Sequence, residues 1–356
     1  MDLERLGWNP FFAEPFQPFA RAGLEPARVA VEHRRGYELY APAGLIKAEV
    51  SGRFRHDASG AGDYPAVGDW VAVQRLPGEA KAVIQAVLPR RTKFSRTAAG
   101  RAGEQQVLAA NHDDVFILSS LNAELNPRRL ERYLTLAWES GANPVIVLTK
   151  TDLRDNVPAA LREVEALACG APVHAVSNVT GEGFDSLMPH LGPARTIVLL
   201  GSSGVGKSTL INRLCGESSL AVQPVRGTDA KGRHTTTRRE LIPLPTGGLV
   251  IDTPGMRELQ LWDGADGLGD TFADVESLAT GCRFPACRHE TEPDCAVRKA
   301  VEAGELDPAR VESHRKLLRE LDHFEQRHHP RAQADRRHRL RIIHKALKAH
   351  YRRHPR

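Results

Sequence analysis

The stretch Gly201-Ser202-Ser203-Gly204-Val205-Gly206-Lys207-Ser208-Thr209 fits the pattern GxxxxGK[ST]. It stands between an apolar pentapeptide, Thr196 to Leu200, and a helical run that begins at Lys207. No other feature restricts the fold as much. A strand that ends in a glycine-rich turn and opens a helix gathers backbone N–H groups and the positive end of the helix dipole around one anion. Such a unit belongs in a largely parallel sheet. In this reading Gly201, Ser202, Ser203, Gly204, Val205 and Gly206 wrap the phosphates of a nucleotide and Lys207 neutralises them. The Ser208 hydroxyl, with Thr209 beside it, stands where Mg²⁺ would be ligated. A glycine-rich turn that binds nothing is the plain alternative, and the flanking strand and helix weigh against it.

Two further elements fall directly after apolar runs. Asp252-Thr253-Pro254-Gly255, after Leu249 to Asp252, matches DxxG: the carboxylate would hold magnesium through water and the Gly255 N–H would sense the γ-phosphate. Alone, such a sequence is only a turn. Thr149-Lys150-Thr151-Asp152, after Val145 to Leu148, matches [NT]KxD. A carboxylate there accepts from guanine N1 and N2 together, a donor pair that adenine lacks, so Asp152 selects GTP over ATP. Ser177-Asn178 follows another strand and would supply a companion loop whose backbone meets guanine O6; solvated strand-end turns are the bland reading of both. The order is unusual: the guanine elements precede the phosphate loop, whereas an ordinary GTPase has them after it. A rotated order preserves the fold if the usual termini are joined, here by about Gly192-Pro193-Ala194-Arg195, and the chain reopens beyond Gly255.

The chain is long enough, at 356 residues, for two to three domains. Between Asp113 and about Trp262 strand runs alternate with helices: Val115 to Ser119, a helix capped by Asn126 with Pro127 in its first turn, Val145 to Leu148, Pro158 to Cys169, Val173 to Ser177 and Lys207 to Cys215. Before it, Arg28 to Glu32, Gly36 to Ala41, Leu45 to Phe54, Asp69 to Val73 and Ala82 to Leu88 read as five short strands, which fit a small barrel of the oligonucleotide-binding (OB) kind. The basic stretch from Arg90 to Arg101 reads as a linker. After it all, Cys282-x₄-Cys287-x-His289-x₅-Cys295 offers three thiolates and an imidazole, a closed tetrahedral set for one structural Zn²⁺. Unligated reduced cysteines are the alternative; Cys169 and Cys215, in helical contexts, read as core. Five cysteines so placed do not make a disulfide scaffold, no run spans a membrane, and the start lacks a secretory core, which points to the cytoplasm.

Net charge is +5, yet residues 327–356 hold eleven Lys or Arg against the single acid Asp335, leaving the rest of the chain at −5. A basic tail with Leu340, Ile342, Ile343 and Leu347 at helical spacing can contact RNA, lie on a membrane surface or merely solubilise; beside a barrel and a zinc module, RNA is preferred.

The rotated order, the cysteine cluster and Gly232-Arg233-His234-Thr235-Thr236-Thr237 together resemble one family: the RsgA (YjeQ) circularly permuted GTPases of small-subunit biogenesis. The resemblance implies a multidomain α/β protein: an N-terminal arm (1–26), an OB-like barrel and linker (27–100), a permuted GTPase domain (101–265), a mainly helical zinc-binding domain (266–326) and the tail (327–356). It implies GTP hydrolysis with Mg²⁺ on Ser208, Thr236 and Asp252, Thr235 being the second choice for the middle ligand. It further implies docking on the 30S subunit and 16S rRNA, stimulation of hydrolysis there, and a monomer in solution. Met256 stands where many GTPases place a glutamine that orients water, and a thioether cannot do that. The resemblance gives the task to His234, an imidazole able to orient or deprotonate water, against the alternative of a solvated loop histidine. Two other functions stay open on the residues alone: an RNA-binding zinc protein with a vestigial nucleotide site, and an ATP-dependent P-loop enzyme.

Overall fold

The computed structural model describes residues 1–97, 105–121, 125–216, 239–252, 265–285 and 287–328. His234, Thr235, Thr236, Gly255, Met256 and most of the basic tail therefore lie outside the described residues. Among those described, no helix is long and apolar enough to cross a membrane.

The chain opens with a helix, α1 (Pro10–Arg21), started by the Asn9 side chain accepting from the Phe11 N–H and by Pro10 at its first position. Its buried face, Phe12 and Phe16, packs with Trp8 around the fully buried Trp70, whose ring centroid is 4.8 Å from that of Trp8. The N-terminal arm is thus a packing element of the barrel that follows.

That barrel has strands β1 (Glu25–His33), β2 (Gly36–Ala41), β3 (Gly44–Val50), β4 (Trp70–Arg75) and β5 (Lys81–Val87), with a short helix α2 (Gly52–Asp57) between β3 and β4. The pairings run β1-β2-β3-β5-β4 and back to β1, all antiparallel except β3 with β5, which closes the sheet. This is the OB-like barrel that the short strands predict. Alternating burial on β3 points Ile46, Ala48 and Val50 inward against Val29, Leu39, Val71 and Ile84. The expected strand from Leu45 to Phe54 ends early, because Ser51 accepts from the Phe54 N–H at 3.0 Å and starts α2 instead.

The segment read as a linker contributes a strand, β6 (Lys93–Thr97), paired antiparallel with β7 (Gln105–Ala110). Its entry is fixed: Arg90 forks onto the fully buried Asp69, with Nη2 2.7 Å from Oδ2, and also donates to the Gly62 and Tyr64 carbonyls. Within this basic stretch Arg90 therefore serves a buried ion pair, while Arg91 and Lys93 are exposed.

The central unit is made of β8 (Asp114–Ser120), α3 (Pro127–Glu139), β9 (Asn143–Thr149), α4 (Val157–Leu167), β10 (Val173–Val176), β11 (Thr196–Leu200), α5 (Lys207–Cys215), β12 (Glu240–Pro243) and β13 (Leu249–Asp252). Strand order is β10-β9-β8-β11-β13, all parallel, with β12 antiparallel beyond β13 and touching β1 at Val31↔Glu240. Strands buried on both faces have apolar middles, Val115 to Leu118 in β8 and Ile197 to Leu200 in β11, and the parallel direction collects the C-terminal ends of β9, β10, β11 and β13 at one edge. At the opposite edge the joint between Leu191 and Thr196 is fastened by Asp114, which accepts from Arg195 at 2.6 Å and lies 3.3 Å from His190 Nδ1.

Among the described residues four helices follow: α6 (Ala265–Thr271), α7 (Ala273–Ala279), α8 (Ala296–Glu302) and α9 (Pro308–His328). They dock on α3 through Arg310, which is 5% exposed; it donates to Asp274 Oδ2 at 2.6 Å, to Glu131 Oε1 at 3.1 Å and to the Thr271 carbonyl at 2.8 Å.

Candidate functional site

The glycine-rich turn from Gly201 to Gly206 leaves β11 and enters α5 at Lys207. Gly206 has φ +96°, and a Cβ there would stand 2.8 Å from Asn178 Nδ2, so both the backbone angle and the space demand glycine. Lys207 curls back over the turn and its Nζ donates to the Gly201 and Ser202 carbonyls at 2.6 and 2.7 Å. The ammonium thereby sits at the mouth of the loop. Ser208 and Thr209 occupy the exposed first turn of α5.

Asp252 closes β13. Since Val198 pairs with Ile251, Asp252 comes level with Leu199, one strand from the base of the turn. Burial raises the pKa of its carboxyl, and the Lys207 charge opposes that rise. A second cation beside it would favour the ionised form further.

The two elements that precede the turn in sequence touch it in space. Thr149 is fully buried at the end of β9; its hydroxyl donates to the Val205 carbonyl at 2.6 Å. Lys150 adopts a left-handed conformation at φ +62°, which turns the chain sharply into the single turn Thr151–Leu153 bearing Asp152. Strand β10 runs beside β9 with Val176 opposite Thr149, which places Ser177 by that turn: its hydroxyl donates to Asp152 Oδ1 at 2.6 Å. Asn178 reaches across to the phosphate loop, Nδ2 donating to the Gly206 carbonyl at 3.1 Å. Thr149, Asp152, Ser177 and Asn178 thus form one hydrogen-bonded unit with Val205 and Gly206. A site with an acidic, base-sized end and a loop of amides at the other can hold a nucleoside triphosphate. His234, Thr236 and Gly255 fall outside the described residues.

The cysteine cluster lies apart from this edge, between α7 and α8. The ligand atoms of Cys282, Cys287, His289 and Cys295 all lie within 4.8 Å of one another. Cys282 Sγ is 3.8 Å from Cys295 Sγ and 3.6 Å from His289 Nδ1, and His289 Nδ1 is 3.4 Å from Cys295 Sγ. Tetrahedral zinc with bonds of ~2.3 Å to sulfur and ~2.0–2.1 Å to nitrogen requires edges of about 3.8 Å and about 3.6 Å, so the donor set fits that ion. Burial, and then the Arg315 charge, lower the pKa of His289 and favour the neutral imidazole that ligates.

The sequence did not point to the Asn178 side chain, nor to Arg213 on α5, which donates to the Asn178 and Val179 carbonyls. Arg213 belongs to no short motif, and Asn178 stands in the companion element for its backbone alone; only the reach from the 177–183 loop to α5 exposes these side-chain contacts.

Residues 87–262 match the family model described as RsgA GTPase. The chain is 49% identical over 349 residues to the small ribosomal subunit biogenesis GTPase RsgA of Opitutus terrae, covering 94% of this chain and 95% of that protein. It is 45% identical over 329 residues to the protein of the same name from Syntrophotalea carbinolica, covering 90% of each. Among solved structures it is similar to YjeQ from Thermotoga maritima, at 28% identity and a TM-score of 0.62 over 84% of this chain and 98% of that one. It is also similar to YloQ, titled a circularly permuted GTPase, at 26% identity and a TM-score of 0.60 over 84% of this chain and 95% of the other.

Proposed function

This chain belongs to the RsgA GTPase family, and from that premise we propose that it hydrolyses GTP to GDP and phosphate in the late maturation of the 30S ribosomal subunit, with turnover stimulated by the subunit itself. The observation that carries the reading is the contact of both guanine elements with the phosphate loop, Thr149 on Val205 and Asn178 on Gly206. Segments in rotated order meet at one edge of the sheet.

The chain's own part in the reaction is positioning and charge stabilisation. Asp152 accepts from the base, the Gly201 to Gly206 amides and Lys207 hold the phosphates, and Gly255 meets the γ-phosphate. Ser208, Thr236 and Asp252 would hold Mg²⁺, which supplies charge neutralisation at the β- and γ-oxygens. His234 orients the attacking water and takes its proton. Replacing it, His234→Ala, leaves GTP affinity intact and lowers subunit-stimulated turnover about a hundredfold or more; unchanged turnover removes the assignment. Cys282, Cys287, His289 and Cys295 hold one structural zinc. The barrel and the basic tail contact 16S rRNA, and that affinity falls steeply with salt if phosphates dominate it.

Phosphate release measured with GTP and with ATP, each with and without 30S subunits, tests the proposal. GTP-selective and subunit-stimulated release is expected. Equal use of ATP would make the chain a different P-loop enzyme, and no release under any condition would leave an RNA-binding protein with a vestigial site.

A further inference from the structure

We infer that Arg213 is a positioning residue for base recognition: from the helix that follows the phosphate loop, it holds the 177–183 loop in the pose that presents the Asn178 amide to guanine O6. The inference rests on the nucleotide site proposed above.

Arg213 lies in the last turn of α5, and its Nη1 donates to the Asn178 carbonyl at 3.0 Å and the Val179 carbonyl at 3.2 Å. Its guanidinium carbon stands 5.0 Å from the centre of the Phe184 ring, closing the loop from the far side. Gly181, at φ +88°, leaves the space the guanidinium occupies: a Cβ there would be 1.9 Å from Nη2. The loop is built around this one side chain. An exposed arginine contributes little as a charge, so two carbonyl contacts and a stacked ring act by fixing a conformation.

That conformation commits the loop's donors unequally. The Val179 and Thr180 amides donate to Ser177 Oγ at 3.2 and 3.1 Å, and the Gly181 amide to the Ser177 carbonyl at 2.9 Å. Among the described residues the Asn178 backbone N–H has no hydrogen-bond partner, and Asn178 Oδ1 is buried without one. Ser177 meanwhile holds Asp152, whose carboxylate takes guanine N1–H and the 2-amino group. A guanine so held offers O6 on the neighbouring edge, where it needs a donor; adenine offers an amino group there and meets N–H with N–H. Arg213 therefore governs how well O6 is read, without touching the base.

Competition binding on the full chain separates this role from general damage. GTP, 6-thio-GTP and ITP are compared: the second replaces only O6 by a poor acceptor, and the third keeps O6 but lacks the 2-amino group read by Asp152. In Arg213→Ala the preference for GTP over 6-thio-GTP falls about tenfold toward unity, the value of one hydrogen bond, while the preference over ITP stays at the wild-type value. Arg213→Lys recovers part of the loss. Gly181→Ala, which displaces the guanidinium without removing it, gives the same selective loss. Unchanged preferences, or an equal weakening of all three nucleotides, overturn the inference. If the wild-type chain does not prefer GTP to ATP, the nucleotide-site reading itself fails, and the inference falls with it.

Discussion

Single hydroxyls and amides do the joining at the nucleotide edge. The Thr149 hydroxyl bonds the Val205 carbonyl from a fully buried position, so Thr149→Val keeps the shape and leaves that carbonyl without its donor. The expected cost is about 1–3 kcal/mol, read as weaker GTP binding with an unchanged GTP-to-ATP preference; an unchanged affinity would show that the contact holds nothing. Away from the edge, His112 shows what burial does to a base. It is fully buried, stacked on Phe94 with ring centroids 4.9 Å apart, and its Nε2 lies 3.3 Å from Ser140 Oγ. Burial first, then the Arg28 and Arg91 charges, push its pKa down to about 3. Between that value and the ~6.5 of an unfolded histidine, the unfolded chain binds a proton that the folded one refuses. This contribution to stability is complete above about pH 6.5 and is lost as pH falls, at up to about 1.4 kcal/mol per unit. His112→Phe keeps the stacked ring and cannot titrate. Its urea midpoint should fall less between pH 6.5 and 4.5 than the wild-type midpoint does; parallel falls would contradict the assignment.

Among the elements, the loop from Cys282 to Cys295 ties a metal-sized donor set to the start of a helix. Cys295 is at once a candidate ligand and the N-cap of α8, its Sγ accepting from the Arg298 N–H at 3.5 Å, so the ion and the helix start share one atom. Cys287→Ala should abolish zinc in metal analysis of purified protein and raise amide exchange across α8, because a four-ligand site without one thiolate is open to water. Retained zinc, or unchanged exchange, would show that the cluster is not structural. Elements with strong local signals were legible in the sequence. Asn126 with Pro127 starts α3, apolar β8, β9 and β11 read as strands, and the turn at Gly201 marks the start of the site. Elements set by tertiary partners were not. Ser51 diverts an apparent strand into α2, and β6 looks like a linker until Asp69 is seen to hold Arg90. Within the site, residues in motifs were readable, Asn178 among them, whereas the Asn178 side chain and Arg213 act through contacts 28 and 35 positions away.

For the whole molecule, the question is what makes three parts one body. The barrel meets the central sheet where β1 pairs with β12, supported by Arg239 on Glu32 at 2.8 Å and by Tyr40 donating to the Leu241 carbonyl at 3.2 Å. The helical part meets it at Arg310, which joins Glu131 of α3 to Asp274 of α7 with little solvent access. Removing one partner of such a pair leaves a buried charge, so Arg310→Ala should destabilise the fold by about 3–5 kcal/mol. The double substitution Arg310→Met with Glu131→Leu should recover most of that in urea unfolding; no recovery would mean that the hub acts by shape, not by charge. These joints leave the parallel edge free to assemble a site from strands whose order in space ignores their order in sequence. In the proposed function the decisive contact is that of Asp152 with a guanine at that edge. Asp152→Asn offers an amide donor in place of a carboxylate oxygen, which suits xanthine, where a carbonyl replaces the 2-amino group. Steady-state hydrolysis of GTP and XTP should therefore show preference passing from GTP in the wild-type chain to XTP in the variant, by about a hundredfold or more. A variant that still prefers GTP by the wild-type margin would place the base elsewhere and rule out Asp152 as the residue that reads it.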